Sequence, residues 1–195
     1  MIHTICAYCG SSDRADLGYL DAARQMGRAI ARRGLALVYG AGSTGVMGAL
    51  AEGALEGGGA VTGIIPKFFA TPQLMHTRLT HLEVVPDMHT RKARLAGLAD
   101  AFIALPGGYG TFEELFEMIT WAQIGLHRKP IGLLNTRGYF NPLMALIEHA
   151  RAEGFLYDEH LQLFILAEQP EQLLDALEDH RYPPGLERWV ERKSS

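Results

Sequence analysis

The amino-acid sequence predicts an α/β protein: a single doubly wound, Rossmann-like parallel sheet with helices on both faces. Three observations carry this. Short apolar runs alternate with segments whose apolar residues recur at helical spacing, through most of the 195 residues. The apolar runs are almost continuous, as strands are when a sheet is buried on both faces, and right-handed crossovers then wind helices over both sides. Glycine is abundant, with 22 residues, many of them just after an apolar run, where a strand gives way to a helix.

The elements follow in order. Residues 2–8 read as the first strand. A helix follows over 16–33, with Leu20, Ala23, Gly27, Ile30 and Ala31 at helical spacing and Gly34 as its C-cap. Residues 35–39 form a second strand, 44–56 a helix that stops at Gly57-Gly58-Gly59, and 60–65 a third strand closed by Pro66. The stretch 67–82 has no clear period and reads as a long loop or a short irregular helix. A short strand at 83–85, a helix over 87–98 and a strand over 100–105 come next. The helix over 111–123 is strongly amphipathic, with Phe112, Leu115, Phe116 and Ile119 as the expected buried stripe. A strand at 130–135, a helix at 141–153, a strand at 163–167 and a helix at 170–179 complete the core. Tyr182-Pro183-Pro184-Gly185 breaks the pattern, so one domain is expected over 1–181, with 182–195 as a C-terminal tail whose last residues are polar and mobile. There is no internal repeat and no linker.

Composition narrows the function. Apolar residues make up 48% and charged residues 21%, the balance of a soluble globular chain. Lys plus Arg is 18 against 22 for Asp plus Glu, with no basic stripe, which argues against nucleic acid as a partner. No apolar run approaches membrane-spanning length, and Met1-Ile2-His3-Thr4-Ile5 has neither a basic leader nor a signal-type apolar region. Two cysteines cannot build a disulfide framework, so the expected location is a reducing cytoplasm. Cys6-Ala7-Tyr8-Cys9 is a C-x-x-C on a strand, with no second pair for zinc, and reads as structural. The histidines show no ligand spacing, so neither metal nor cofactor is expected.

In a sheet of this kind ligands bind beyond the carboxyl ends of the strands, so the chemistry belongs in the turns. The first, Cys9-Gly10-Ser11-Ser12, suits close approach of an anion and equally an ordinary turn in which Ser12 caps a helix. The second, Gly40-Ala41-Gly42-Ser43-Thr44-Gly45, formally matches the dinucleotide fingerprint G-x-G-x-x-G. The next strand ends Gly63-Ile64-Ile65-Pro66, without the acid that would hold a ribose, so NAD is disfavoured and Gly42 and Ser43 are left to a single phosphate or ribose.

The most informative turn is Leu105-Pro106-Gly107-Gly108-Tyr109-Gly110-Thr111-Phe112-Glu113-Glu114. Its glycines let backbone N–H groups converge on an oxyanion, and the helix that follows adds about half a positive charge. Phosphate is the natural guest. No Lys-Ser or Lys-Thr pair follows, so this is not a loop for triphosphate hydrolysis. Glu114 has two readings: an acid at the site, or the second half of a Thr111–Glu114 capping box, in which Gln would serve as well. Met88-His89-Thr90-Arg91-Lys92 places two cations at a helix start, where the dipole opposes them, which favours a ligand role for Arg91 over a solvated face.

Pro106–Glu114, preceded by Met88-His89-Thr90-Arg91-Lys92, resembles the Lonely Guy family, the cytokinin riboside 5′-monophosphate phosphoribohydrolases long catalogued as possible lysine decarboxylases. The resemblance runs from Cys9-Gly10-Ser11-Ser12 through Leu133-Leu134-Asn135 and beyond. It implies hydrolysis of the N-glycosidic bond of adenosine 5′-monophosphate or its N6-modified forms, giving free base and ribose 5-phosphate, in a homodimer. The family's catalytic pair falls on Arg91 and Glu114. Its binding set falls on Gly107, Gly108, Gly110 and Thr111, with Lys92, Glu113 and Thr120; Met88, Tyr109, Gly42, Ser43 and Ser12 stand beside them. One departure is visible: residues 73–82 contain no acid, where family members often carry one that helps bind substrate. The decarboxylase label finds no support. Pyridoxal phosphate needs a Schiff-base lysine in an acidic setting, and none of Lys67, Lys92, Lys129 and Lys193 has one. The alternative is a protein that binds a nucleotide or phosphorylated cofactor without chemistry, as the related-looking molybdenum-cofactor carriers do.

Overall fold

In the computed structural model, which describes residues 1–186, the alternation becomes β1 (Thr4–Tyr8), α1 (Leu17–Arg32), β2 (Ala36–Tyr39), α2 (Gly45–Glu56), β3 (Val61–Pro66), β4 (His81–Val85), α3 (Met88–Leu98), β5 (Ala101–Ala104), α4 (Tyr109–Gln123), β6 (Ile131–Leu134), α5 (Asn141–Ala152), β7 (Ile165–Ala167) and α6 (Pro170–Asp179). The strands pair in parallel in the order β4-β3-β2-β1-β5-β6-β7. The chain therefore winds outward from β1 to β4 and starts again at β5 on the other side of β1. That reversal opens a crevice beyond the carboxyl ends of β1 and β5. The two turns that leave it are joined: Gly10 N–H donates to the Pro106 carbonyl at 3.1 Å.

Strand alternation sorts the core into two layers. Ile5, Ala7 and Cys9 pack with α1, α2 and α6, including Met26, Ile30, Leu50 and Leu173. Cys6 and Tyr8 pack with α3, α4 and α5, including Leu95, Leu115, Met118 and Ile147. The two cysteines thus lie on opposite sides of the sheet, both free and buried, and burial pushes both thiols well above their ordinary range. No helix among the described residues is long and apolar enough to cross a membrane.

The fold class expected from the sequence is the one observed, with local corrections. The stretch 67–82 holds one short 3₁₀ turn, Lys67–Phe69, and β4 starts at His81 instead of 83. The helix expected over 111–123 begins at Tyr109, because Gly108 takes the N-cap position and its carbonyl accepts from Phe112 N–H at 3.1 Å. Thr111 therefore sits inside the first turn and is not a cap, so the Thr111–Glu114 capping box does not form. The buried face of α4 is Thr111, Glu114, Leu115, Met118 and Ala122, whereas Phe116, expected in the stripe, is 40% exposed. Apolarity alone set the expected phase; the burial of a paired glutamate rotates it. Beyond α6 the chain turns back: Tyr182 Oη–H donates to the Ala122 carbonyl at 2.6 Å, and Leu186 is buried. Of the tail expected at 182–195, residues 187–195 lie outside the described residues.

Candidate active site

β5 delivers the chain into Pro106-Gly107-Gly108, and α4 begins at once. The glycines there answer two different needs. A Cβ on Gly107 would stand 2.1 Å from Thr111 Oγ1 and 2.7 Å from Gly10 N, so only glycine lets the turn close on its neighbours. A Cβ on Gly108 or Gly110 would meet nothing within 4 Å, because both face open cavity. Tyr139 Oη–H donates to the Gly107 carbonyl and braces the turn from the β6 side. α4 has no side-chain N-cap, which leaves its first N–H groups to an anion at the positive end of the helix.

The two kinds of glycine separate in a mutant pair. Gly107→Ala is expected to lower unfolding stability by about 1–3 kcal/mol through overpacking. Gly110→Ala is expected to leave stability unchanged or raise it by up to about 1 kcal/mol, since alanine suits a helix better, while weakening binding of a phosphate ester. Urea denaturation of both variants, with ribose 5-phosphate binding measured on Gly110→Ala, checks this.

One turn along α4, Glu114 is 7% exposed. Its Oε1 accepts from Arg91 Nη1 at 2.6 Å. Arg91, in the first turn of α3, is 8% exposed and also donates from Nε to the Ile64 carbonyl at 3.2 Å. Its remaining nitrogen lies against Gly40, where a Cβ would come within 2.0 Å of Nη2. The cation is thus buried among β3, the turn after β2 and α4, and not solvated. Burial pushes the Glu114 carboxyl above its usual range, and the Arg91 guanidinium offsets this only in part.

The cavity enclosed by these turns measures about 820 Å³. Of the residues expected from the sequence, Ser12, Gly42, Met88, Arg91, Gly107, Gly108, Tyr109, Gly110, Thr111, Glu113 and Glu114 line it together. Lys92, Ser43 and Thr120 do not. Lys92 Nζ is clamped between Glu113 and, at 3.0 Å, Glu117, and the Glu113 bond holds its ammonium above the ordinary range. Ser43 Oγ donates to the Leu74 carbonyl at 3.2 Å, and Thr120 is exposed on the outer face of α4. Sequence reading missed part of the lining: Arg14, Asp16 and Tyr19; Tyr139 beside the glycine turn; and the apolar side chains of Met47, Ile65, Phe69 and Leu74. They share no motif and come from the turns and first helical turns that follow β1, β2 and β6 and from the end of β3 with the segment after it.

A family model described as possible lysine decarboxylase matches residues 47–177. A probable cytokinin riboside 5′-monophosphate phosphoribohydrolase of Oryza sativa subsp. japonica is 48% identical over 178 residues, covering 90% of this chain and 79% of the relative. A cytokinin riboside 5′-monophosphate phosphoribohydrolase of Arabidopsis thaliana is 44% identical over 190 residues, covering 97% and 88%. Among solved structures, the molybdenum cofactor binding protein from the phototrophic bacterium Rippkaea orientalis superposes with a TM-score of 0.70 at 22% identity, covering 92% of this chain and 98% of that one. That likeness is one of fold.

Proposed function

The chain belongs to the Lonely Guy family of cytokinin riboside 5′-monophosphate phosphoribohydrolases, and from that premise we propose that it hydrolyses the N-glycosidic bond of adenosine 5′-monophosphate and its N6-modified forms by means of the Arg91–Glu114 pair. The observation that carries the reading is the placement of an anion cradle and a buried acid one turn apart on the same rigid helix, α4, in one cavity. A residue advances about 1.5 Å along a helix, so the offset from Thr111 to Glu114 suits the span from a 5′-phosphate to the anomeric carbon of the same nucleotide.

The 5′-phosphate sits on the first N–H groups of α4, and this anchor fixes the ribose. As the bond from the anomeric carbon to the purine nitrogen breaks, its electron pair leaves with the purine, which takes up a proton. Positive charge grows on the ribose, and the Glu114 carboxylate stabilises it and accepts the proton of the water that adds to the anomeric carbon. Arg91 orients Glu114 through the 2.6 Å bond and keeps a carboxylate beside a phosphate from being repelled. Met47, Phe69, Leu74 and Met88 offer the base an apolar wall. No lysine lines the cavity among the described residues, so a Schiff-base cofactor has no anchor there. The enzyme works in the cytoplasm as a homodimer, and the exposed Phe116 on α4, with Ile124 and Leu126 beyond its last residue, is apolar surface that a second copy would cover.

Incubation with adenosine 5′-monophosphate and with isopentenyladenosine 5′-monophosphate, followed by chromatography, tests the reading. Free base and ribose 5-phosphate are expected, with turnover of the dephosphorylated nucleosides at least about 100-fold slower, because the remote phosphate contact holds the reacting centre in place. Recovery of both nucleotides intact would instead make this a nucleotide-binding protein.

A further inference from the structure

Segment 70–80 has neither helix nor sheet, yet it is fastened to the turn that follows β2. His76 N–H donates to the Ala41 carbonyl at 2.8 Å, Met75 forms an isolated antiparallel bridge with Gly42, and Ser43 N–H donates to the Leu74 carbonyl at 3.0 Å. Ala41 itself is held at φ 61°, a left-handed conformation that a non-glycine residue keeps only when its surroundings impose it.

Beside these main-chain bonds, a buried imidazole outside the cavity lining ties the segment to α2. The His76 side chain is 4% exposed, and both ring nitrogens are engaged. Nδ1 accepts from Arg78 N–H at 3.2 Å, so the hydrogen resides on Nε2, which donates to Glu52 Oε1 at 2.9 Å. Glu52 belongs to α2, an element of the core, and the Arg78 guanidinium grips its other oxygen. Burial raises the Glu52 carboxyl, but the bonds from Arg78 and His76 outweigh it and hold the group below the usual carboxylate range, so the acceptor stays ionised. Leu74, two residues before His76, contributes to the wall of the cavity.

We propose that His76 and Glu52 are positioning residues for substrate binding: their hydrogen bond holds segment 70–80 against the turn after β2 and so keeps Leu74 in the wall of the nucleotide cavity. This rests on the nucleotide reading above. Neither residue lines the cavity, and neither touches the Arg91–Glu114 pair. The effect therefore falls on binding and not on the chemical step.

The test compares His76→Leu, which keeps bulk but loses both bonds, with His76→Gln, whose amide N–H can still reach Glu52. His76→Leu is expected to raise KM for adenosine 5′-monophosphate about tenfold with kcat within about twofold, and to speed amide hydrogen exchange at Met75 and His76 while leaving α4 unchanged. His76→Gln is expected to recover most of both effects. Wild-type KM and exchange in His76→Leu, or a loss of kcat at constant KM, would overturn the assignment. Should His76→Leu fail to fold, Glu52→Ala and Arg78→Ala decide: both lose the bond between Arg78 and Glu52, but only the first loses the bond from His76. A rise in KM of about tenfold in Glu52→Ala, with Arg78→Ala within about twofold of wild type, supports His76 as the tether, and an equal KM in the two variants refutes it. Failure of the wild-type protein to cleave the nucleotide would fall on the functional reading; the exchange measurement reports on the tether by itself.

Discussion

Glu114→Gln is expected to lower kcat/KM for adenosine 5′-monophosphate by about 10²–10⁴-fold, the range over which a positioned acid or base contributes. Gln keeps the shape and one acceptor for Arg91, but cannot carry charge or take a proton. In the wild type, burial raises the Glu114 carboxyl despite Arg91. The acidic limb of kcat/KM should therefore fall at a pH above the ordinary glutamate value of about 4.3, with activity lost as pH drops through it. In Glu114→Gln that limb should be absent. A limb that persists unchanged in the variant, or turnover near the wild-type rate, would remove Glu114 from the chemistry.

The same substitution is also a statement about stability. A capping box would tolerate Gln without loss, but Glu114 answers a buried guanidinium instead. Gln leaves Arg91 buried against a neutral partner, but removing a buried carboxylate offsets that cost, so a net change within about 1 kcal/mol is expected in urea denaturation. The pH dependence has an unusual sign. Folded Glu114 holds its proton more tightly than the unfolded chain does, so its own contribution to stability falls as pH rises from the ordinary glutamate range to the raised one.

Arg91→Ala is expected to give the second large effect, with a different signature. It leaves a buried carboxyl without its paired guanidinium, and the carboxyl shifts further up and gives up its proton less readily. At pH 7 kcat/KM should fall at least about 100-fold, and part of it should return as pH is raised and Glu114 ionises. No pH restores Glu114→Gln. Breaking a buried pair from one side costs about 3–5 kcal/mol, and neutralisation of Glu114 should keep the observed loss near the lower figure. An Arg91→Ala enzyme with a wild-type pH profile would remove the guanidinium from the scheme. In the double variant the effects on stability should not add, because each single change already breaks the same charge pair.

Much of the fold was legible because its signals are local. A strand announces itself by a run such as Ala101-Phe102-Ile103-Ala104, and a turn by the glycines after it. The expected boundaries lie within two residues of those observed for that reason, and most within one. The start of α4 was missed by two, because Gly108 has no side chain with which to advertise an N-cap while Thr111 and Glu114 carry the pattern of one. Phe116 was misplaced for a related reason: helical periodicity ranks residues by apolarity, and the face that packs on β1 and β5 includes a glutamate.

Residue types and near neighbours alone specify the parallel sheet and place glycines at the turn after β5 and Arg91 and Glu114 near helix starts. What those residues do to one another is set by packing across the fold. Glu114 finds Arg91, 23 positions away, and not the helix end three positions back; Lys92 turns to Glu113 and Glu117 and away from the cavity; His76 reaches Glu52 across 24 positions. Each of these charged or polar groups needs a partner once water is withdrawn. Which partner it meets is a property of how the elements pack, and no window of sequence contains it.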